Sequence, residues 1–308
     1  MGTTRDFISL ADYNRDELQE MLELALRLKE SLRRGRPEPL LAGKALGCIF
    51  HKPSLRTRLS FEVGMRQLGG ESLYITDAEI GFGKRESVYD IGQVTSRFLD
   101  GLMVRTFDQR PLVQLAEAAP SPVINGLTDQ EHPCQVFSDL LTIREQGLPL
   151  EGIKITYLGD GNNLVHSWLT AAMSFGFDFT FGGPEGYGPQ PEFVKAARER
   201  ASGRIELTSD PVAAIRGARV VYTDTWTSMG QEAEAAKRAK VFPPFQVNAA
   251  LLRHADPKAI VMHCLPAHRG QEITDEVMDG PQSVVFDQAE NRMHGQKAIL
   301  VRCLGGDA

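Results

Sequence analysis

The sequence lacks several features that would each indicate a class of protein. Its 308 residues carry no basic surplus, since 34 Lys and Arg face 40 Asp and Glu, for a net charge of -6. Proteins that bind duplex nucleic acid normally show the opposite balance. No apolar run approaches the ~18 residues that span a bilayer, and residues 1–20 contain no apolar segment of the signal-peptide type. We therefore expect a cytoplasmic protein that binds neither nucleic acid nor membrane.

Cysteine is also scarce, and its few copies are scattered. Cys48, Cys134, Cys264 and Cys303 include no C-x-x-C pair of the kind that binds zinc or exchanges disulfides. On spacing alone, each of them, Cys264 included, is best interpreted as a buried reduced thiol.

What the chain does contain is an alternation of helical and strand patterns. Asn14 and Glu17 form a predicted capping box, after which apolar residues recur at helical spacing until Gly35. Short apolar runs then alternate with segments of helical length, which is typical of parallel sheets with crossover helices. The runs are ALGCIF, SLYIT, GLMVR and SPVIN in the first half, and IKITYLGD, FDFTFGG, ARVVYTDT and AIVMHCLP in the second.

Two domains are predicted from this alternation. A helical pattern that begins at HPCQVF ends at Gly147-Leu148-Pro149, and the second series of strands follows it. We therefore predict two open α/β domains with parallel sheets, at residues 1–148 and 149–287. A final helix at about 288–304 is predicted to pack back on the first domain.

Basic and hydroxyl residues cluster after the first predicted strand. The segment FHKPSLRTRLSFE carries Lys52, Arg56 and Arg58 within seven residues. Such a run is often only the solvated face of a helix. Because this one follows a strand and opens a helix, Ser54, Thr57 and backbone N–H groups can bind a phosphate while Arg56 supplies a planar fork.

Two further strand ends are expected at the same edge of the sheet. Arg105 ends the strand GLMVR, and His132 and Gln135 follow SPVIN in the loop NGLTDQEHPCQ. Ligands of open α/β sheets bind beyond the carboxyl ends of the strands. The convergence of these polar groups predicts a site for a small anion in the first domain.

The strand-end loops of the second domain are mixed in charge. They read GDGNN, DTWTSMGQE and HCLPAHRG. Asp224, with the amides of Asn162 and Asn163, suits a ligand that carries both an ammonium and a carboxylate. The alternative for GDGNN is a dinucleotide-binding turn, but Leu164 stands where the third glycine of G-x-G-x-x-G belongs. This mismatch disfavours a nicotinamide oxidoreductase.

Six motifs, in order along the chain, resemble those of the ornithine carbamoyltransferases in the aspartate/ornithine transcarbamylase family. They are SLRTR, HPCQ, GDGNN, DTWTSMG, HCLP and AENRMHGQKA. The S-x-R-T-R and H-P-x-Q pair is shared by the wider family and marks carbamoyl phosphate. The D-x-x-x-S-M-G and H-C-L-P pair is the narrower signal, since the enzymes for other acceptors differ there.

This resemblance implies an activity. The carbamoyl group of carbamoyl phosphate would pass to the δ-amine of L-ornithine through a tetrahedral intermediate, giving L-citrulline and phosphate. The resemblance implies no metal or organic cofactor, a role in arginine biosynthesis, and a homotrimer with its sites at subunit interfaces. The first predicted domain would bind carbamoyl phosphate and the second would bind ornithine.

The resemblance also implies roles for individual residues. The carbamoyl phosphate contacts would come from Ser54, Leu55, Arg56, Thr57, Arg105, His132, Gln135, Cys264, Leu265 and Arg292. The ornithine contacts would come from Asn162, Asn163, Asp224, Ser228 and Met229. The catalytic residues would be Arg105, His132, Gln135, Asp224, Cys264 and Arg292. Thr57, Arg105 and His132 would stabilise the oxyanion, and Cys264 would orient the δ-amine and relay its proton.

Three positions depart from the family pattern. Leu55 stands where threonine is common, and DIGQV at 90–94 replaces D-T-A-R-V. Glu79 occupies the position of a glutamine that, in the family, reaches a neighbouring subunit's carbamoyl phosphate. We predict that Glu79 turns away from the phosphate, or that Lys84 or Arg85 pairs with it and binds the phosphate instead.

Two alternative functions keep the same fold. One is a transcarbamylase for acetylornithine, putrescine or aspartate, against which the S-M-G sequence speaks. The other is a non-catalytic small-molecule sensor, which the presence of every expected polar group disfavours.

Overall fold

The computed structural model describes residues 6–81, 85–228 and 230–305. The chain forms two compact units, of which unit 1 comprises Met1–Leu141 and Glu290–Ala308, and unit 2 comprises Thr142–Ala289. Each unit contains a parallel β-sheet and several helices. The predicted class, two open parallel-sheet α/β domains, is therefore confirmed. No helix within the described ranges combines the length and apolar character that a membrane crossing requires.

Unit 1 is built on a sheet with the strand order β2-β1-β3-β4. Its elements in chain order are α1 (Arg15–Arg33), β1 (Ala45–Phe50), α2 (Leu55–Gln67), β2 (Glu71–Thr76), α3 (Asp77–Ile80), α4 (Val88–Thr95), β3 (Gly101–Arg105), α5 (Gln109–Ala118), β4 (Val123–Leu127) and α6 (Pro133–Glu145). The central strands β1 and β3 are almost wholly buried, as expected of parallel strands covered on both faces. The last strand begins and ends two residues later than the run SPVIN predicts.

Helix α1 confirms the predicted capping box. The Asn14 side chain accepts the Glu17 N–H at 3.0 Å, and the Glu17 carboxylate accepts the Asn14 N–H at 3.0 Å. The apolar face predicted from the spacing is buried, at Leu18, Met21, Leu22, Ala25 and Leu28. Gly35 follows the helix with a φ of 69°, the left-handed conformation that ends helices.

Unit 2 is built on a sheet with the strand order β7-β6-β5-β8-β9. Its elements are β5 (Lys154–Leu158), α7 (Asn163–Phe175), β6 (Asp178–Gly182), α8 (Pro191–Arg200), β7 (Ile205–Thr208), α9 (Pro211–Ile215), β8 (Val220–Thr223), α10 (Ala235–Val241), α11 (Ala249–Leu252), β9 (Ile260–His263) and α12 (Asp275–Met278). Strand β7 was not predicted. It is a four-residue edge strand with an exposed Glu206, and its pairing with β6 is what makes it a strand.

Helix α13 (Val285–Leu304) starts earlier than the predicted 288 and contributes to unit 1 from Glu290 onward. Within unit 1 it packs against helices of the first half of the chain. Lys29 of α1 donates to Asn291 at 2.7 Å, and a Cβ on Gly295 would lie 2.5 Å from Ser138 Oγ of α6. The glycine permits this close approach, and the predicted return of the final helix is confirmed.

Candidate active site

The residues predicted to bind an anion in unit 1 lie near the point where β1 and β3 end side by side, with Phe50 paired to Arg105. Helix α2 begins just after β1, and Ser54 is its N-cap, accepting the Thr57 N–H at 3.3 Å. The first N–H groups of a helix have no partner inside the helix, and the helix dipole favours an anion there. The start of α2 therefore has the chemistry of a phosphate site.

Of the three cations in FHKPSLRTRLSFE, two are engaged elsewhere. Lys52 is buried, forms an ion pair with Asp129 and lies 4.3 Å from the centre of the Phe107 ring. Arg58 pairs with Glu62 at 2.8 Å and lies over the Tyr74 ring.

Arg56 is the remaining cation of that segment. Its Nε is buried and has no hydrogen-bond partner among the described residues. A buried guanidinium N–H without a partner is costly unless a ligand accepts from it. This atom is therefore suited to an oxygen of a bound anion.

Arg292, Thr57, Arg105 and His132 form a second group in unit 1. The Arg292 guanidinium donates to Thr57 Oγ1 at 2.8 Å. Burial, and then the positive charges of Arg292 and Arg105, hold the pKa of His132 well below its usual 6.5. His132 is thus a neutral imidazole beside two guanidinium groups, an arrangement that can donate hydrogen bonds to an oxygen acquiring negative charge.

Gln135 is held in one orientation by a neighbour on α6. Its Nε2 donates to the buried carboxylate of Asp139 at 2.8 Å. Its Oε1 is buried and has no partner within the described ranges. Because a carboxylate can only accept, the amide nitrogen must face Asp139, which leaves the oxygen available for a ligand N–H.

Two of the three departures from the family pattern, Leu55 and Glu79, have local structural explanations, and the replacement of D-T-A-R-V by DIGQV has none. Leu55 is the first residue of α2 and its side chain is 69% exposed, so any ligand contact there falls to its backbone N–H. The Glu79 carboxylate accepts both the N–H and the hydroxyl of Thr76 at 2.7 Å, and these bonds lower its pKa. Glu79 thus caps the short helix α3. Lys84 lies outside the described residues.

In unit 2, Asp224 follows β8 and is surrounded by donors. Its Oδ1 accepts from Cys264 Sγ at 3.0 Å and from the Thr225 N–H at 2.7 Å. Its Oδ2 accepts from Asn162 Nδ2 at 3.1 Å, while Asn162 Oδ1 accepts the Leu164 N–H at the start of α7. Both ends of the Asn162 amide are therefore engaged, and in this geometry the side chain orients Asp224.

Asn163, another predicted ornithine contact, is the first residue of α7, and the loop after Asp224 carries the other two, Ser228 and Met229. Ser228 is half-buried, and its N–H donates to Gln231 Oε1 at 3.2 Å. Met229 lies outside the described residues.

Arg238, which the sequence motifs did not single out, holds this part of unit 2 together. The buried guanidinium donates to Trp226 O at 2.8 Å and pairs with Asp160 of GDGNN at 2.9 Å. Burial raises the Asp160 pKa to about 6, although Arg238 opposes the rise. The loops of two predicted motifs therefore share one buried cation.

Asp224, His263 and Cys264 also offer three potential metal ligands. One ligand atom from each lies within 4.8 Å of the others. The thiol already donates to Asp224, and both ring nitrogens of His263 are hydrogen-bonded, to Glu272 and to the Leu265 N–H. The expectation of a reaction without metal stays a prediction.

Comparisons with known proteins show the family of this chain. Residues 5–145 match the family model described as aspartate/ornithine carbamoyltransferase, carbamoyl-P binding domain, and residues 151–303 match its Asp/Orn binding domain. The ornithine carbamoyltransferase of Symbiobacterium thermophilum is 56% identical over 299 residues, 96% of each chain. An anabolic one from Pyrococcus furiosus is 48% identical over 305 residues, 98% of this chain and 97% of the relative.

Solved structures of ornithine carbamoyltransferases are similar as well. The one from Pyrococcus furiosus has a TM-score of 0.96 at 48% identity and covers 99% of this chain and 98% of its own. The one from Thermus thermophilus has a TM-score of 0.88 at 40% identity, with 97% and 98% covered. The resemblance inferred from the six motifs is thereby confirmed, and the chain belongs to the aspartate/ornithine carbamoyltransferase family.

Proposed function

We propose that this protein transfers the carbamoyl group of carbamoyl phosphate to the δ-amine of L-ornithine, giving L-citrulline and phosphate. The observation that carries the proposal is the neutral imidazole of His132 beside Arg105 and Arg292, in the same unit as the capped start of α2. The choice of ornithine is supported by the names of the relatives at 48–56% identity.

Carbamoyl phosphate would be held by groups of unit 1. Its phosphate accepts hydrogen bonds from Ser54, Arg56 and the first N–H groups of α2, including that of Leu55. Its carbonyl oxygen accepts from His132, with Arg105 and Thr57 beside it. As the tetrahedral intermediate forms, this oxygen becomes an oxyanion, and donors already in place stabilise it most.

The carbamoyl amide distinguishes this substrate from a simple acyl phosphate. Gln135 presents an acceptor oxygen whose orientation Asp139 fixes. An amide N–H can fill that acceptor, whereas a methyl group would leave it buried and unsatisfied. We infer that Gln135 selects the carbamoyl group for this reason.

Ornithine would be held by groups of unit 2. Asp224 and Ser228 take the α-ammonium, and Asn163 with the Met229 backbone takes the carboxylate. The attacking δ-amine must be neutral, and at pH 7 deprotonating an alkylammonium of pKa about 10.4 costs roughly 4 to 5 kcal/mol. The leaving phosphate is a base that can accept the proton. Cys264 donates to Asp224 and is a thiol in that bond, which suits orientation better than covalent attack.

Arg56→Lys is expected to weaken carbamoyl phosphate binding at least tenfold, about 1.4 kcal/mol, because an ammonium cannot reproduce the guanidinium fork. The measurement is the KM for carbamoyl phosphate together with the inhibition constant of phosphate. Arg58→Lys is the matched control, since Arg58 pairs with Glu62, and it should leave both constants unchanged. Equal effects of the two substitutions would mean that SLRTR is only the solvated face of a helix.

We further propose a homotrimer with its sites at subunit interfaces, in the cytoplasm, serving arginine biosynthesis. The trimer is supported by exposed apolar side chains of unit 1, among them Phe98 at 77%, Leu55 at 69% and Tyr89 at 62% exposure. Contiguous exposed apolar groups mark association surfaces, and we propose that these side chains form one. The biosynthetic role is supported by the relative named anabolic.

Light scattering should give the mass of three 34.0-kDa chains, and Phe98→Glu should shift the measured mass toward that of a single chain. Phe286→Asp, at an exposed position in unit 2, is the control and should leave the mass unchanged. A single-chain mass for the unmodified protein at micromolar concentration would refute the trimer.

A panel of acceptors tests the proposed activity. Release of phosphate from carbamoyl phosphate is measured with ornithine, acetylornithine, putrescine and aspartate. Ornithine should exceed each of the others by at least about a hundredfold in kcat/KM. Acetylornithine lacks the α-ammonium, putrescine lacks the α-carboxylate, and aspartate lacks the δ-amine that the site would bind. Higher activity with another acceptor would reassign the enzyme, and no activity with any would favour a sensor.

A further inference from the structure

A single buried carboxylate ties both ends of the loop that follows β9. Glu272 and His263 are 0% and 1% exposed. Glu272 Oε1 lies 3.1 Å from His263 Nε2, at the start of the loop, and accepts the backbone N–H of His268 further along it. The loop between these two points contains Cys264 and Leu265.

The hydrogen bonds of His263 determine its tautomer. The Leu265 N–H lies 2.9 Å from His263 Nδ1. A backbone N–H can only donate, so Nδ1 must carry a lone pair and the ring hydrogen is on Nε2. Nε2 therefore donates to Glu272, and the imidazole forms a bridge from the buried carboxylate to the main chain of Leu265.

The main chain of His263 is fixed as well. Its N–H donates to Gln288 Oε1 at 2.8 Å, and Gln288 Nε2 donates to the Tyr222 hydroxyl at 2.9 Å. The side chains of His263, Gln288 and Tyr222 are buried, as is that of Glu272. Ring and backbone of His263 are thus both held, so that its orientation is transmitted to the two residues that follow.

Those two residues have unusual requirements. Leu265 has a φ of 60°, a left-handed conformation that a leucine rarely adopts unless its surroundings hold it. Cys264 lies between His263 and Leu265 and directs its Sγ to Asp224 Oδ1 at 3.0 Å. The bond from Leu265 N–H to His263 thus lies beside the thiol and supports the strained residue.

A contribution to the stability of the fold does not by itself explain Glu272. Its Oε2 is buried and has no hydrogen-bond partner among the residues described, and a buried carboxylate without full pairing is unfavourable. Groups of this kind call for another explanation, and a functional site is a common one.

We propose that Glu272, acting through His263, is a positioning residue that sets the Cys264–Leu265 main chain for the transfer reaction. This inference rests on the proposed function, in which Cys264 orients the δ-amine. What the loop requires from position 272 is a hydrogen-bond acceptor, since both of its donors, His263 Nε2–H and the His268 N–H, bond to a single oxygen. The negative charge strengthens both hydrogen bonds, but the acceptor is what the loop cannot lose.

Two substitutions at position 272 distinguish the need for a hydrogen-bond acceptor from the need for a negative charge. Glu272→Gln keeps an oxygen for both donors and should retain at least a third of the kcat. Glu272→Leu keeps the volume without the acceptor and should lower kcat at least thirtyfold, while the KM for carbamoyl phosphate changes less than threefold. Asp279→Asn is the control, because Asp279 holds Arg269 of the same loop by an exposed ion pair; it should change neither constant.

A readout independent of turnover is the alkylation rate of Cys264. The thiols of Cys48, Cys134 and Cys303 are buried and burial raises their pKa, so Cys264 should be the site that iodoacetamide modifies. Its rate should change at least fivefold in Glu272→Leu and less than twofold in Glu272→Gln. This comparison remains valid even if the unmodified protein forms no citrulline, which would refute the proposed function alone.

The proposal is overturned if Glu272→Leu keeps its kcat and alkylation rate, or if Glu272→Gln loses as much as Glu272→Leu. If Glu272→Leu does not fold, His263 provides the second comparison. His263→Asn retains an acceptor for the Leu265 N–H, and its kcat should be at least tenfold higher than that of His263→Leu. Equal activity of these two variants would also overturn the positioning role.

Discussion

Asp224→Asn is expected to lower kcat/KM for ornithine at least about a thousandfold, the scale of losing a partly buried charge pair together with its orientation. The substitution removes the negative charge proposed to hold the α-ammonium. It also turns an NH₂ group toward a donor, because Oδ1 accepts from Cys264 and Thr225 while Oδ2 accepts from Asn162. The asparagine can satisfy only one of these sides.

L-norvaline, which has the α-ammonium and carboxylate of ornithine but no δ-amine, makes this test specific. Its inhibition constant should rise with the ornithine KM in Asp224→Asn, while the KM for carbamoyl phosphate changes less than about threefold. Asp256→Asn, at a partly exposed ion pair with Arg219, is the matched control and should behave as the unmodified protein. An unchanged inhibition constant of norvaline would mean that Asp224 binds the δ-amine of ornithine and not its α-ammonium.

His132→Ala is expected to lower kcat about 100- to 1,000-fold, the usual effect of removing one oxyanion donor. The KM for carbamoyl phosphate should change little, because the hydrogen bond strengthens mainly as the oxygen becomes negative. His132→Asn retains an N–H donor at similar reach and should recover part of the loss. Loss of substrate affinity with unchanged kcat in His132→Ala would assign the imidazole to ground-state binding.

The pH dependence gives an independent test of the same residue. Burial and the charges of Arg292 and Arg105 lower the His132 pKa far below 6.5, so lowering the pH from about 7 to 6 should not protonate it. The profile of kcat should therefore show no inflection near 6.5 that vanishes in His132→Asn. Such an inflection would mean that His132 titrates as an ordinary imidazole and acts as an acid or base.

The sequence was a good guide wherever a motif sits at a strand end. Ser54 follows β1 and caps α2 because an apolar run, a hydroxyl residue and a helical pattern are consecutive in the chain. Arg105 ends β3 for the same reason. The sheet then brings these strand ends together, so the local patterns and the general rule for parallel sheets suffice to predict their meeting.

The sequence could not show which polar groups are already paired. Lys52 and Arg56 belong to one basic run, yet Lys52 pairs with Asp129, 77 positions away. The amide of Asn162, which is predicted to bind ornithine, bonds to Asp224 and to the start of α7, and its contact with ornithine stays a prediction. Such pairings join residues distant in the chain, and no periodicity records them.

Buried polar residues outside the motifs were missed for a related reason. Glu272 and Arg238 stand in segments that resemble ordinary charged surface, and only their burial identifies them as hydrogen-bonding centres of the loops around them. The single sequence signal near Glu272 is its place just after HCLPAHRG. Strand β7 could not be predicted from the sequence because its four residues form a strand only beside β6.

The central claim is that a bond forms between the carbamoyl carbon and the δ nitrogen of ornithine. Carbamoyl phosphate labelled isotopically at its carbon and ornithine labelled at its δ nitrogen are incubated with the protein, and the product is followed by NMR while phosphate is assayed. The account predicts citrulline with a direct coupling between the two labels, formed in equal amount with phosphate and formed about 100- to 1,000-fold more slowly by His132→Ala. Phosphate released without coupled product, or a carbamoyl group on the α nitrogen, would contradict it.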